Sequence, residues 1–166
     1  MARAFGLPIV WGTDPRLEGR SLSVARDHGI PAIYAEYQGG CDLDPAGVEA
    51  YVSGCLGVMR ELGMIEARSP TLDTHPAPLV IEDDRLGSGH LQVDHPVPRE
   101  GFFSPCVALG QLVDAGEPLG TLSDLLGRRV ETVKAVRSGL VLMLHTCPRV
   151  EAGESIAAVL ETDPAR

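Results

Sequence analysis

Gly29-Ile30-Pro31-Ala32-Ile33-Tyr34-Ala35-Glu36-Tyr37-Gln38-Gly39-Gly40 is the stretch on which the fold turns. Ala32 to Tyr37 is β-prone and closes on two glycines, which reads as a strand ending in a turn. Before it, Ser21 to His28 suits a short helix, with Gly29 as its stop and Pro31 just beyond. After it comes the clearest helix of the chain. Asp44 is a natural N-cap and Pro45 fits the first helical position. Val48, Tyr51, Val52, Cys55, Leu56, Met59 and Leu62 recur at helical spacing, and Gly63 ends the run. Upstream, Leu7-Pro8-Ile9-Val10-Trp11 is a short apolar run. The order is therefore β-α-β-α. It predicts a strand over Ala32 to Tyr37 parallel to Leu7–Trp11, with the apolar face of the Asp44–Leu62 helix packed on the sheet.

From Ile65 to Gly89 the character changes. Pro70, Pro76 and Pro78 punctuate the segment, followed by Asp83-Asp84 and Gly87-Ser88-Gly89. It reads as a linker or crossover, with a short strand at Leu79-Val80-Ile81. Beyond about His90 no segment keeps a helical period. An internal repeat appears instead: Val113-Asp114-Ala115-Gly116-Glu117 is matched by Val150-Glu151-Ala152-Gly153-Glu154. Each copy is preceded by a glycine that opens an apolar run, Gly101-Phe102-Phe103 and Gly139-Leu140-Val141. Each unit reads as strand, polar turn, strand, and the two need each other to bury their apolar faces. The expected organisation is thus residues 1–64 as part of an α/β domain, 65–89 as the crossover, and 90–166 as a β module.

Composition narrows the function. The chain has 166 residues, 44% of them apolar, and a net charge of −9. No cluster of Arg or Lys forms the basic face that nucleic acid or an anionic membrane surface would require. Cys41, Cys55, Cys106 and Cys147 are widely spaced. With no apolar run of membrane-spanning length and no signal-peptide core, free thiols in a reducing cytoplasm are the expectation.

Glu36 is the residue that points to chemistry. It stands at the carboxyl end of the expected parallel strand, where ligands of open α/β sheets bind, and Gly39 and Gly40 allow close approach of the backbone. The competing reading is a solvated glutamate at a strand edge. The histidines offer little: His90 and His95 would face opposite sides of a strand, while His28, His75 and His145 stand alone. Asp42 and Asp44 form a D-x-D pair, but capping accounts for Asp44.

Together, the Gly29–Gly40 stretch, the helix that ends Leu56-Gly57-Val58-Met59-Arg60-Glu61-Leu62-Gly63-Met64, the opening Ala4-Phe5-Gly6-Leu7-Pro8, and the later Gly101-Phe102-Phe103-Ser104-Pro105, Leu109-Gly110 and Val113–Glu117 resemble the succinylglutamate desuccinylase/aspartoacylase family of the zinc carboxypeptidase clan. The resemblance runs over nearly the whole chain. It implies an α/β fold, a partial zinc-carboxypeptidase-like sheet with its helices, while the repeat that follows resembles the all-β barrel-sandwich hybrid of biotinyl and lipoyl carriers. It implies a zinc-dependent deacylase that hydrolyses the amide of a small N-acyl amino acid. Glu36 would be its general base and acid, taking a proton from a zinc-bound water and returning it to the departing amine.

Two departures accompany the resemblance. The family's zinc ligands, an H-x-x-E pair and a later histidine, lie N-terminal to the matching segment, and this chain contains no H-x-x-E. No zinc bound by this chain alone is therefore expected: the chain is a fragment lacking its N-terminal half, that half is a separate polypeptide, or the gene has decayed. A truncated sheet would also expose an edge strand and apolar surface, which suits a homo-oligomer. In the carrier-like module, Asp124-Leu125-Leu126-Gly127-Arg128-Arg129 occupies the place of the carrier lysine; Lys134, the only lysine, lies further on. No covalent cofactor is expected. The alternative reading is a non-catalytic α/β plus β interaction or regulatory module.

Overall fold

The structure is a computed structural model and describes residues 1–37, 39–40, 43–66 and 77–162. It divides into two compact units, Met1–Gly89 and His90–Arg166.

In the first unit a short helix α1 (Ala2–Phe5) leads into β1 (Ile9–Gly12), then α2 (Ser21–Asp27), α3 (Pro45–Glu61) and β2 (Leu79–Glu82). β1 and β2 pair in parallel, Ile9 opposite Leu79 and Gly12 opposite Glu82. The strand read at Leu79–Ile81 is therefore the partner of β1. Ala32 to Tyr37 is not: it has no regular secondary structure, which corrects the expected strand. Strand propensity is realised only where a neighbouring edge accepts the backbone. Here the segment is held by side chains instead. The Tyr51 hydroxyl donates to the Ala35 carbonyl at 2.6 Å, and the Tyr34 and Ser21 hydroxyls lie 2.7 Å apart.

α2 and α3 begin and end as their sequences dictate. Asp44 accepts from the Ala46 N–H at 3.0 Å, and Pro45 opens α3. After α2, Gly29 turns left-handed and Ile30 N–H returns to the Ala25 carbonyl at 2.8 Å. The packing of α3 differs from expectation. Its apolar ridge faces outward, with Val48 and Val52 about half exposed and Leu56 37% exposed. The buried side is made by glycines. Gly47 lies under the Tyr37 ring, Gly54 under the Phe5 ring, and Gly57 against the Ala4 carbonyl. Phe5 and Tyr51 meet edge to face with centroids 5.5 Å apart. Periodicity locates an apolar stripe but does not name its partner. The absence of side chains at Gly47 and Gly54 let other groups approach the adjacent face more closely.

The second unit has a short 3-10 turn (Leu91–Val93) and then seven strands: β3 (Gly101–Pro105), β4 (Leu112–Val113), β5 (Pro118–Ser123), β6 (Val130–Lys134), β7 (Gly139–Leu144), β8 (Arg149–Val150) and β9 (Ala157–Leu160). They form two sheets, ordered β6-β5-β3-β8 and β4-β7-β9. All pairings are antiparallel. The repeat is reproduced contact by contact. Gly101 pairs with Val150 as Gly139 pairs with Val113, and Phe103 pairs with Leu122 as Val141 pairs with Val159. Each copy thus lends its short strand to the sheet of the other. Among the described residues the sheets are open and do not close into a barrel, so the barrel-sandwich expectation is met only as a mixed fold with antiparallel sheets.

The two Val-x-Ala-Gly-Glu turns have the same bonds. Glu117 caps the Asp114 N–H at 2.7 Å and Glu154 the Glu151 N–H at 2.8 Å. Gly116 and Gly153 both take φ of 89°, a left-handed conformation that glycine adopts without penalty. Gly116 N–H reaches the Ala135 carbonyl, and Gly153 N–H reaches the Val97 carbonyl, each at 2.8 Å. Between the sheets lies the core: Leu119, Leu122, Val150 and Ile156 are fully buried, joined by Phe103, Val141 and Val159.

Candidate functional site

Glu36 sits on the irregular segment between α2 and α3 and is exposed. Three anchors fix the backbone around it. Tyr34 reaches α2 through Ser21, the Ala35 carbonyl is tied to Tyr51 of α3, and the Tyr37 ring rests on Gly47 of α3. Beside these anchors runs a shallow open groove lined by Tyr37, Leu43, Asp44, Gly47, Val48, Tyr51 and Val52. It is apolar except at Asp44, whose carboxylate is engaged with the helix N-terminus. Among the described residues no hydrogen bond or ion pair holds the Glu36 carboxylate, and the residue is exposed.

Among the described residues of the first unit, the structure brings no other expected ligand to Glu36. His28 is exposed beyond α2, its Nδ1 2.9 Å from the Val24 carbonyl. His145 is half-buried in the second unit. His90 and His95 flank a 3-10 turn and not a strand. Gln38, Cys41, Asp42 and His75 lie outside the described residues. Among the described residues no three His, Cys, Asp or Glu side chains come together as a metal site would need. The described residues therefore do not fit a zinc ion by themselves. No described helix is long and apolar enough to cross a membrane.

Two buried carboxylates stand just past the carboxyl ends of the parallel strands, where a ligand would be sought. Asp14 accepts from the Arg16 side chain at 2.6 Å, the Arg16 N–H at 3.0 Å and the Gly87 N–H at 2.9 Å. Asp83 accepts from Arg85 Nε and Nη2, each at 2.7 Å, and from the Trp11 indole at 3.3 Å. Ser88 joins them, accepting from Asp14 N–H and donating to the Asp83 carbonyl. Hydrogen bonds from Arg16 hold the Asp14 carboxyl far below the usual carboxylate range, and those from Arg85 lower Asp83. Both acids are satisfied internally, so the cluster staples the loops that follow β1 and β2.

Sequence reasoning missed a second polar cluster, in which Asp94 and Arg137 meet beside the buried His95. It is brought together over 43 positions of sequence, a separation that no local pattern encodes. The one available signal was a charged and titratable pair just ahead of an apolar β module.

The sequence matches no family model and no curated protein. The structure does find relatives. The ectoine utilisation protein EutE (DoeB) from Ruegeria pomeroyi, in its apo form, superposes with a TM-score of 0.79 over 95% of this chain and 48% of its own, at 19% identity. A succinylglutamate desuccinylase/aspartoacylase from Rhodobacter sphaeroides gives 0.76 over 96% and 47%, at 24% identity. An aspartoacylase family protein from Mesorhizobium loti gives 0.66 over 94% and 50%, at 19% identity. The class defined by these neighbours is the mixed α/β and antiparallel β fold of the succinylglutamate desuccinylase/aspartoacylase structures. This chain has that fold, and spans about half the length of each of these three structures.

Proposed function

We propose that this chain contributes Glu36 to a zinc-dependent deacylase site for a small N-acyl amino acid, the zinc ligands coming from outside these 166 residues. The fold likeness to a succinylglutamate desuccinylase/aspartoacylase structure, at a TM-score of 0.76 over 96% of the chain, is the observation that carries the reading. The anchored, solvent-facing carboxylate of Glu36 supports it, since a proton-transfer group needs a fixed backbone and open oxygens. In this reading Glu36 moves protons at its carboxylate, the anchors at Tyr34, Ala35 and Tyr37 hold it in place, and the half-exposed ridge of α3 is covered by the remainder of the catalytic domain. The repeat module takes the architecture of a barrel-sandwich hybrid without the carrier role, because its 124–129 hairpin has no lysine. The setting is cytoplasmic, with a small-molecule partner and neither nucleic acid nor membrane, in keeping with the net charge of −9.

The test has two arms. The purified 166-residue chain is assayed for zinc by elemental analysis and for hydrolysis of a panel of N-acetyl and N-succinyl amino acids. The same is done with a polypeptide that supplies an H-x-x-E pair and a further histidine. We expect neither zinc nor turnover in the first arm, and both in the second. Glu36→Gln in the second arm then keeps the metal and loses most turnover, because Gln cannot take a proton. One tightly bound zinc in the chain alone, or full activity in the Gln variant, overturns the reading.

A second reading is favoured by one observation. Leu43 is 83% exposed beside the half-exposed Val48 and Val52. Such a ridge also suits a non-catalytic module that binds a partner or a second copy of itself. Sedimentation of the purified chain separates the two: a stable homodimer that stays inactive in the second arm supports the module.

A further inference from the structure

The first residues of the repeat module are held by a partly buried cluster that the proposed chemistry does not use. Asp94 accepts from Arg137 Nη1 at 2.6 Å through one carboxylate oxygen and from the Val159 N–H at 2.9 Å through the other. His95 is 6% exposed and takes φ of 49°. Its Nδ1 lies 3.2 Å from both the Asp94 carboxylate and the Ala157 carbonyl. Both are acceptors, so Nδ1 must carry a hydrogen. Its Nε2 lies 3.0 Å from the Val136 N–H. That group is a donor, so Nε2 must be bare. One neutral tautomer satisfies every contact. The imidazolium does not, because it sets an N–H of the ring against the N–H of Val136.

The bond spans an informative place. Val97 receives the Gly153 turn and Ala135 receives the Gly116 turn, as equivalent positions of the two repeats. Val136 follows Ala135 directly and His95 stands two residues before Val97, so this hydrogen bond, beside the Arg137–Asp94 pair, joins the two segments on which both turns are anchored. We propose that His95 is a pH-sensitive latch between the 94–97 segment and the Ala135–Arg137 connection, closed while Nε2 is bare and released when it is protonated.

The charged groups facing His95 are Asp94 on its own segment and Arg137 on the connection, while β9 presents the Ala157 carbonyl and the Val159 N–H. The Asp94 charge is answered by Arg137 and the Val159 N–H. Burial pushes Asp94 upward, yet the hydrogen bonds from His95, Val159 and Arg137 outweigh this and leave it at about 2. Asp94 therefore stays anionic through the range where imidazoles change charge.

The experiment uses the full chain, labelled with nitrogen-15. Long-range proton–nitrogen spectra of the imidazole at about pH 8 report the tautomer, and hydrogen exchange of the Val136 amide, corrected for its intrinsic rate, reports the latch. We expect the Nδ1–H tautomer, and a protection factor at Val136 that falls several-fold between about pH 8 and about pH 5.5. His95→Gln offers Val136 an amide oxygen that cannot titrate, and should flatten the pH dependence of Val136 protection over the same interval. An Nε2–H tautomer, or Val136 protection unchanged with pH, overturns the latch. Both are read on the unsubstituted chain, so they decide the case even where the Gln variant fails to fold.

Discussion

The hydroxyl of Tyr51 donates to the carbonyl of Ala35 at 2.6 Å, joining the middle of α3 to the residue that precedes Glu36. It is the polar tether that holds an otherwise irregular segment in register with the helix. Tyr51→Phe keeps the ring against Phe5 and removes only that donor. It should cost about 0.5–1.5 kcal/mol in denaturant unfolding and raise amide exchange over Ala32–Tyr37 while leaving the β module unchanged.

The glycine face of α3 makes an inverted prediction. Alanine is the better helix former, yet a Cβ at Gly57 would meet the Ala4 carbonyl and one at Gly54 would stand 2.7 Å from the Phe5 ring. Gly57→Ala should therefore destabilise by about 1–3 kcal/mol as overpacking outweighs propensity. Leu56→Ala on the outward ridge should cost less than the about 2–5 kcal/mol of a fully buried leucine. Urea unfolding of the two variants checks the order. A larger loss for Leu56→Ala would show that the ridge is covered.

Acid should unfold the β module partly through Asp94. Its folded pKa is lowered from 3.8 to about 2. The stability this supplies is fully present above the unfolded value and is lost as pH falls from there toward about 2. Asp14, Asp83 and Asp124 are lowered as well, so the total slope is not diagnostic. Asp94→Asn is diagnostic: its urea midpoint should fall less steeply between about pH 5 and about pH 2, by the share of one proton.

The hairpin between the repeats should be chemically silent. Asp124 accepts from the Leu126 and Arg128 N–H groups at 3.0 and 2.8 Å, closing the turn with no lysine at its tip. Lys134 instead ends β6 opposite Pro118. Intact mass after expression with biotin and lipoate should equal that of the unmodified chain. An adduct on Lys134 would restore a carrier role.

The sequence was most legible where the signal is local. Asp44, Pro45 and Gly63 bracket α3 because caps and stops act within a few residues, and the paired Val-x-Ala-Gly-Glu turns announce themselves by repetition. It was least legible where a partner decides the outcome. Ala32–Tyr37 carries strand propensity but no pairing edge, and β1 took β2 from some seventy positions away. The α3 stripe was visible, but the choice to bury glycines instead came from Phe5 and Tyr37. Glu36 could be singled out from the residues around it, whereas Asp94, His95 and Arg137 could not, since only the folded module brings them together.

The exchange of short strands between the two repeats carries a consequence for how such a module can come into being. β4 completes the sheet of β7, and β8 completes that of β3. One repeat on its own would leave both its donated strand and its own sheet edge unpaired. It could satisfy them only by embracing an identical copy about a twofold axis. The second unit therefore has the geometry of a homodimer written into a single chain. The segment joining the copies, which includes β6, turns a bimolecular assembly that depends on concentration into a fold that does not.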